Sequence, residues 1–142
     1  MEEILSYSDT INLLHRFAFR IERQSDQILF EKLGIGFSQY KILHALNKNP
    51  RYTQKQLASL LGQTEASVSR QIKIMRENGI LSSSINPKNR REHLTLLSTK
   101  GLRIHEAAYE SLEKYNKKLL ENIDDKERKK LESILAKLYM HL

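Results

Sequence analysis

Cysteine and tryptophan are absent from these 142 residues, and proline occurs only twice. Without cysteine there is no disulfide, no thiolate metal site and no thiol-based redox or peroxide sensing, which fits a reducing compartment. No apolar run approaches the roughly 20 residues that a membrane-spanning helix needs. The opening MEEILSYSD is acidic and has no apolar signal-peptide core. A cytoplasmic location is therefore expected, with no membrane partner. No glycine-rich phosphate loop is present, and the five histidines (His15, His44, His93, His105 and His141) show no HExxH or H-x-x-x-H spacing. No nucleophile–base pair is legible, and Ser82-Ser83-Ser84 reads as a polar strand face. Neither an enzyme nor a cofactor or resident metal is expected. Internal repeats and low-complexity linkers are also missing.

What the chain does have is segregated charge. Its formal net charge is +7, and 39% of its residues are hydrophobic, enough for a core. Residues 51–105 hold ten Lys/Arg (Arg51, Lys55, Arg70, Lys73, Arg76, Lys88, Arg90, Arg91, Lys100, Arg103) against three acids (Glu65, Glu77, Glu92). That difference of +7 equals the whole net charge, so the remainder, with fourteen of each sign, nets to zero. One basic segment between two neutral ones points to an acidic partner, nucleic acid first.

Hydrophobic periodicity gives the elements. Asp9 to Leu33 reads as one long helix, with Ile11, Leu14, Phe17, Ala18, Ile21, Ile28 and Leu29 at three- and four-residue steps. Ser38 is the expected cap of a second helix with Tyr40, Ile42, Leu43 and Leu46 inward. Thr53 caps a third, with Leu57, Leu60 and Leu61 as its stripe, and Gly62 supplies the turn. Thr64 caps a fourth with Val68, Ile72 and Met75 on one face. Ile80–Ile85 and Glu92–Leu97 are the expected strands, separated by a basic loop that Asn86-Pro87 opens. Ser98 caps a long helix to about Asn122, with Leu102, Tyr109, Leu112, Leu119 and Leu120 as its periodic apolar positions. Asp124 or Asp125 starts a last helix carrying Leu131, Ile134, Leu135, Leu138 and Tyr139 on one side. The fold class is mainly α with a small β-hairpin wing: a winged helix-turn-helix plus long terminal helices. Their apolar stripes exceed what a small winged domain needs, so a second copy of the chain is the expected cover; the alternative is that they pack only on each other.

In the fourth helix, Ile72 and Met75 lie within roughly 40° of Val68, which turns Ala66, Arg70, Lys73 and Glu77 outward with Ser67 and Ser69 on the flanks. A small residue, two hydroxyls and an Arg suit a major-groove reader, and Arg70 is the foremost base-reading candidate, with a phosphate contact or a solvated face residue as its alternatives. Thr64 is first a cap, and its flanking amides can hold a phosphate. Lys88, Arg90 and Arg91 sit on the expected hairpin tip, where a DNA backbone or a narrow minor groove would neutralise them. Thr53, Gln54 and Lys55 suit backbone contacts that set register. A ligand cleft, if present, would draw on His15, Phe19, Phe37, Tyr40 and His44, although core packing is the preferred reading of each aromatic. His15, His44 and His105 lie on three different helices and, with Glu106, would form a zinc set if they converged; packed or solvated histidines are the reading adopted.

Five segments resemble the MarR family of bacterial transcriptional regulators. Thr53-Gln54-Lys55-Gln56-Leu57-Ala58 is similar to "LTQxELA", and Ala66-Ser67-Val68-Ser69-Arg70 to "STVSR". Glu77-Asn78-Gly79-Ile80-Leu81 matches "ExGLV", Asn86-Pro87-Lys88-Asn89-Arg90-Arg91 resembles "DPxDRR", and Leu97-Ser98-Thr99-Lys100-Gly101 resembles "LTxKG". The resemblance implies a homodimer in which 1–34 and 101–142 dimerise and 38–100 forms the winged DNA-binding domain. It also implies binding to a near-palindromic double-stranded operator, usually as a repressor, in some members relieved by a small-molecule effector. The chain departs from the family in replacing both wing acids with Asn86 and Asn89, which leaves the wing more basic and, on this reading, less fixed. The alternative of a different class is a winged-helix protein-interaction module that uses the basic patch on an acidic partner.

Overall fold

The computed structural model describes residues 4–142; the first three residues, at the start of the acidic opening and of the 1–34 segment, lie outside the described residues. Eight elements follow in order: α1 Tyr7–Leu33, α2 Phe37–Lys48, α3 Gln54–Leu61, α4 Glu65–Glu77, β1 Leu81–Asn86, β2 Asn89–Leu97, α5 Thr99–Leu120 and α6 Asp125–Tyr139. The two strands form one antiparallel hairpin, so the expected class, helices with a β wing, is what the chain adopts. By internal contacts the chain divides into a first unit ending at Tyr109 and a second, Glu110–Leu142.

Local capping explains most element starts. Thr53 Oγ1 accepts the Gln56 N–H at 3.1 Å while Gln56 Oε1 accepts the Thr53 N–H at 2.9 Å. Thr64 Oγ1 accepts the Ser67 N–H at 3.1 Å and Asp124 Oδ1 the Glu127 N–H at 2.7 Å. Such bonds satisfy amides that a helix end otherwise leaves unpaired. Two expected starts are corrected. α1 begins at Tyr7, because Ser6 caps it and Asp9 lies inside the first turn, its carboxylate accepting the Ser6 N–H at 3.2 Å. α2 is capped by Gly36 rather than Ser38; Gly36 has no side chain to accept, so Asp26 of α1 accepts the Phe37 N–H at 2.9 Å. Between α3 and α4, Gly62 takes φ 64°, the left-handed region that favours glycine.

In the first unit the core is Leu29 of α1, Ile42, Leu43 and Leu46 of α2, Leu57 of α3, and Val68, Ile72 and Met75 of α4, each at most 2% exposed. Leu60 departs from its expected stripe: the buried arc of α3 runs through Leu57 and Ala58, and Leu60, about 160° round from Ala58, is 57% exposed. Phe37, Tyr40 and His44 of α2 stack with His105 and Tyr109 of α5, neighbouring ring centroids lying 5.3 to 6.4 Å apart. His44 Nδ1 and His105 Nε2 are 3.0 Å apart. Only one of the two facing nitrogens can carry a proton in such a bond, so the geometry excludes two imidazolium ions. In the second unit α6 buries none of its side chains, and Leu131, Ile134, Leu135 and Leu138 stay partly exposed along one side.

The end of α4 is bound to the start of α5. The Ser98 N–H donates to the Ile80 carbonyl at 3.0 Å, its hydroxyl to the Gly79 carbonyl at 2.5 Å, and Lys100 Nζ to the Asn78 carbonyl at 2.9 Å. Ser98 Oγ in turn accepts the Gly101 N–H at 3.0 Å. A Cβ at Gly101 would overlap the Ile80 carbonyl oxygen.

Two expected outcomes follow from this packing. Gly101→Ala gains about 1 kcal/mol of helix propensity, but overlap with hydrogen-bonded backbone costs about 1–3 kcal/mol, so net destabilisation is expected in urea denaturation; a stabilised variant would contradict the close approach. The second concerns pH. Burial first, then Lys48, lowers the His44 pKa below 6.5; burial first, then His44, lowers that of His105. With folded values below unfolded ones, the unfolded chain binds more protons, so the pair's contribution is complete above pH 6.5 and is lost as the pH falls through the folded values. Unfolding free energy should decline below pH 6.5, and a His44→Gln/His105→Gln double variant should show a shallower decline there; an unchanged slope would remove the pair as its source.

Candidate nucleic-acid interface

With Val68, Ile72 and Met75 buried, the opposite side of α4 is solvent-facing. Ala66, Arg70 and Lys73 are exposed, and Ser67 and Ser69 are half-buried on the flanks, as the periodicity indicates. Gln71 Nε2 donates to Ser67 Oγ at 2.9 Å and to Gln63 Oε1 at 3.1 Å. Ser67 is therefore held as an acceptor from within, which leaves its own hydroxyl proton to point elsewhere. Sequence reasoning missed Gln63 and Gln71; their spacing of eight, two turns along the chain from the helix cap, carries no recognised signal. Thr64 commits its oxygen to the cap. At the start of α3, Thr53 does the same, Gln54 is half-buried, and Lys55 is exposed.

The wing differs from its expected form. β1 and β2 extend to Asn86 and Asn89, so the tip is only Pro87-Lys88, and Arg90 and Arg91 belong to β2 instead of the loop. Pairing jumps from Ile85 opposite His93 to Asn86 opposite Asn89. Arg90, Arg91 and Glu92 are thus a bulge, facing no partner on β1. Two asparagines set this up: Asn86 Oδ1 accepts the Lys88 N–H at 3.0 Å, and Asn89 Oδ1 accepts the Arg91 N–H at 3.2 Å. Each closes the backbone on itself two residues on. β1 also starts one residue later than expected, at Leu81, because the Ile80 carbonyl is taken by Ser98.

Nor is the wing left unfixed by the loss of its acids. Asn86, 8% exposed, donates from Nδ2 to Glu92 Oε2 at 2.7 Å, and Glu92 Oε1 lies 3.3 Å from Arg51 Nε. The Arg51 N–H donates to Asn49 Oδ1 at 3.0 Å, and the Thr95 N–H to the Pro50 carbonyl at 3.0 Å. The wing is thereby attached to the segment leading into α3. A groove of about 680 Å³ opens between them, with Arg51, Arg76 and Arg91 on its walls beside Thr53 and Gln54. Among the described residues no acid pairs with Arg70, Lys73, Lys88, Arg90 or Arg91. Free cations flank a groove and an outward helix face; anionic polymer is the chemistry they suit.

The residues considered for a ligand cleft come together in part. Phe37, Tyr40 and His44 are members of the aromatic stack, which adds His105 and Tyr109. Phe19 of α1 and Phe37 share a separate hollow of about 240 Å³, with Arg23, Lys41, Glu22 and Asp26 also on its walls and Lys41 Nζ 3.7 Å from Glu22 Oε1. Arg23 lies 5.8 Å over the Phe19 ring and Lys41 Nζ 5.3 Å over that of Phe37. His15 lies apart, in an exposed hollow along α1 with Asp9, Asn12 and Arg16. The three-histidine set therefore reduces to the His44–His105 pair. No helix among the described residues is long and apolar enough to cross a membrane.

The model of the MarR family matches residues 37–93, the span from α2 into β2. The chain is 25% identical over 138 residues to the HTH-type transcriptional regulator BilQ of Clostridium symbiosum, covering 97% of this chain and 92% of that protein. It shares its fold with a MarR/EmrR family transcriptional regulator from Acinetobacter sp. ADP1, at TM-score 0.85 and 22% identity over 97% of both chains. The S. aureus MepR–DNA complex gives TM-score 0.80 and 20% identity, with 98% of this chain and 100% of that chain covered.

Proposed function

We propose that this chain is a MarR-family transcriptional regulator that meets its DNA as a cytoplasmic homodimer and lays two α4 helices in successive major grooves of a near-palindromic operator; the family match over residues 37–93 and the likeness to BilQ support the membership. The observation that carries the reading is the set of unpaired cations on the outward face of α4 and on the wing, all within one unit. MepR, of the same fold, is found with DNA, which supports the reading. Arg70 reads a base edge, with Ser67 and Ser69 beside it and Ala66 allowing close approach. Thr53, Gln54, Lys55, Thr64 and Lys73 meet the backbone, and Lys88, Arg90 and Arg91 reach the flanking minor groove or its phosphates. Two copies related by a two-fold axis would present two equal readers, which is why the operator is taken as near-palindromic. A repressor follows when such a site overlaps a promoter. The Phe19–Phe37 hollow, whose two cations are matched by Glu22 and Asp26, offers a small-molecule effector its two aromatic rings.

Binding to the DNA upstream of its own coding region, followed by fluorescence anisotropy against a scrambled duplex, tests the core of this reading. No preference over the scrambled duplex would favour the protein-interaction alternative. With the operator in hand, Arg70→Ala should cost about 1–3 kcal/mol on it and little on scrambled DNA. Arg91→Ala should weaken both and make the salt dependence shallower by about one unit of slope per wing. Equal losses on both duplexes for Arg70→Ala would make that residue a phosphate contact.

Dimerisation is supported by the exposed stripes of each unit: Ile11, Leu14 and Phe17 on α1, and Leu131, Ile134, Leu135 and Leu138 on α6, are each 37–50% exposed. Leu135→Glu should lower both the sedimentation mass and the operator affinity. A stable folded monomer of the unmodified chain at micromolar concentration would overturn the dimer.

A further inference from the structure

An acid inside a DNA-facing patch works against binding. Glu92 is the one carboxylate on the wing, and in a field summed over its basic neighbours it repels the phosphates that Arg90 and Arg91 would attract. Charge alone therefore makes Glu92 a liability. Its contacts say otherwise. Both carboxylate oxygens are used, and by different elements: one by Asn86 at the turn of the hairpin, the other by Arg51 ahead of α3. The Glu92 side chain is 28% exposed and that of Arg51 63% exposed, so the ion pair by itself contributes little in solvent. What the pair of bonds does is geometric. The bulge that carries Arg90 and Arg91 has no partner on β1, and Glu92 is the residue that returns it to the hairpin turn and to the loop before α3.

We propose that Glu92 is a positioning residue for DNA recognition: its carboxylate joins Asn86 to Arg51 and so holds the wing arginines at a set distance and angle from the α4 reader. The Asn at position 86 is part of the same device. An aspartate there would face Glu92 with like charge, whereas Asn86 closes the turn with its oxygen and donates to Glu92 with its nitrogen. The acid that would fix the wing has moved from the turn into the bulge. This inference rests on the DNA-binding reading above.

The test uses the sign of the charge effect. Glu92→Ala and Glu92→Gln each raise the net charge by one per protomer, and simple electrostatics would tighten binding to every duplex. If Glu92 positions the wing, Glu92→Ala instead weakens operator binding about ten-fold while binding to scrambled DNA is unchanged or tighter. The charge-neutral swap Asn86→Asp/Glu92→Gln keeps the bond between the two side chains with donor and acceptor exchanged, and it should recover most of the lost affinity. Circular dichroism melting checks that each variant is folded, and Glu92→Gln serves if the alanine variant is not. Operator binding by a folded Glu92 variant as tight as, or tighter than, that of the unmodified chain would overturn the proposal, as would a swap that recovers nothing. An unmodified chain with no preference for its operator would instead remove the DNA-binding reading. In that case hydrogen exchange at the Lys88 and Arg91 amides decides the structural half: faster exchange in Glu92→Ala supports the hold on the wing, and unchanged exchange overturns it.

Discussion

Burial of Val68, Ile72 and Met75 sets the rotation of α4, and what the opposite face can do follows from it. Each of these side chains contributes roughly 1.5–3 kcal/mol by leaving water, whereas Arg70 and Lys73 lose most of their hydration if turned inward without a partner. A rotation by one residue, about 100°, would invert both terms at once. The outward face is therefore specified by the core. The caps at Thr53 and Thr64 and the left-handed Gly62 then set where α3 ends and α4 begins, and so how far along the groove each outward residue would stand.

Glu92 and the outward cations of the basic segment have different fates. Glu92 is bonded on both oxygens, while Arg70, Lys73, Lys88, Arg90 and Arg91 have no acid among the described residues. Leaving these cations uncompensated raises the folded state's self-repulsion, which an anionic partner would relieve. The wing follows the same division: asparagine supplies turn closure without charge, and a single carboxylate at the last residue of the bulge supplies attachment.

Much of this was legible in the sequence because the signals are local. Capping boxes span three residues, apolar stripes repeat at three and four, and the five short segments similar to the family fall within those elements. The features that were not legible join residues far apart in the chain. Asp26 caps α2 across 11 residues, His44 meets His105 across 61, and Glu92 reaches back to Arg51. Neither the strand period of about 2 nor the helical period of about 3.6 encodes such pairs. The bulge escaped for a related reason. Arg90, Arg91 and Glu92 alternate with nothing, and only the closures at Asn86 and Asn89 reveal that the strand has begun before them. Leu60 misled because an eight-residue helix packed on two sides buries an arc offset from its leucine stripe.

The aromatic stack gives the first unit a contiguous physical connection with a plain limit. Phe37 borders the hollow with Phe19 at one end; His105 and Tyr109 lie at the other, on the helix whose first turn is tied to the end of α4 by Ser98 and Lys100. Packed rings of this kind can carry a displacement. Contiguity alone supplies no free energy, however, because a ligand shifts an equilibrium only by the difference in its affinity for two arrangements. Tyr40, buried at the centre of the stack, has little room for a second rotamer. Phe37 and Lys41 at the rim are only half-buried. If an effector acts through the hollow, its differential contacts must be made there, at the half-buried rim, and not at Tyr40.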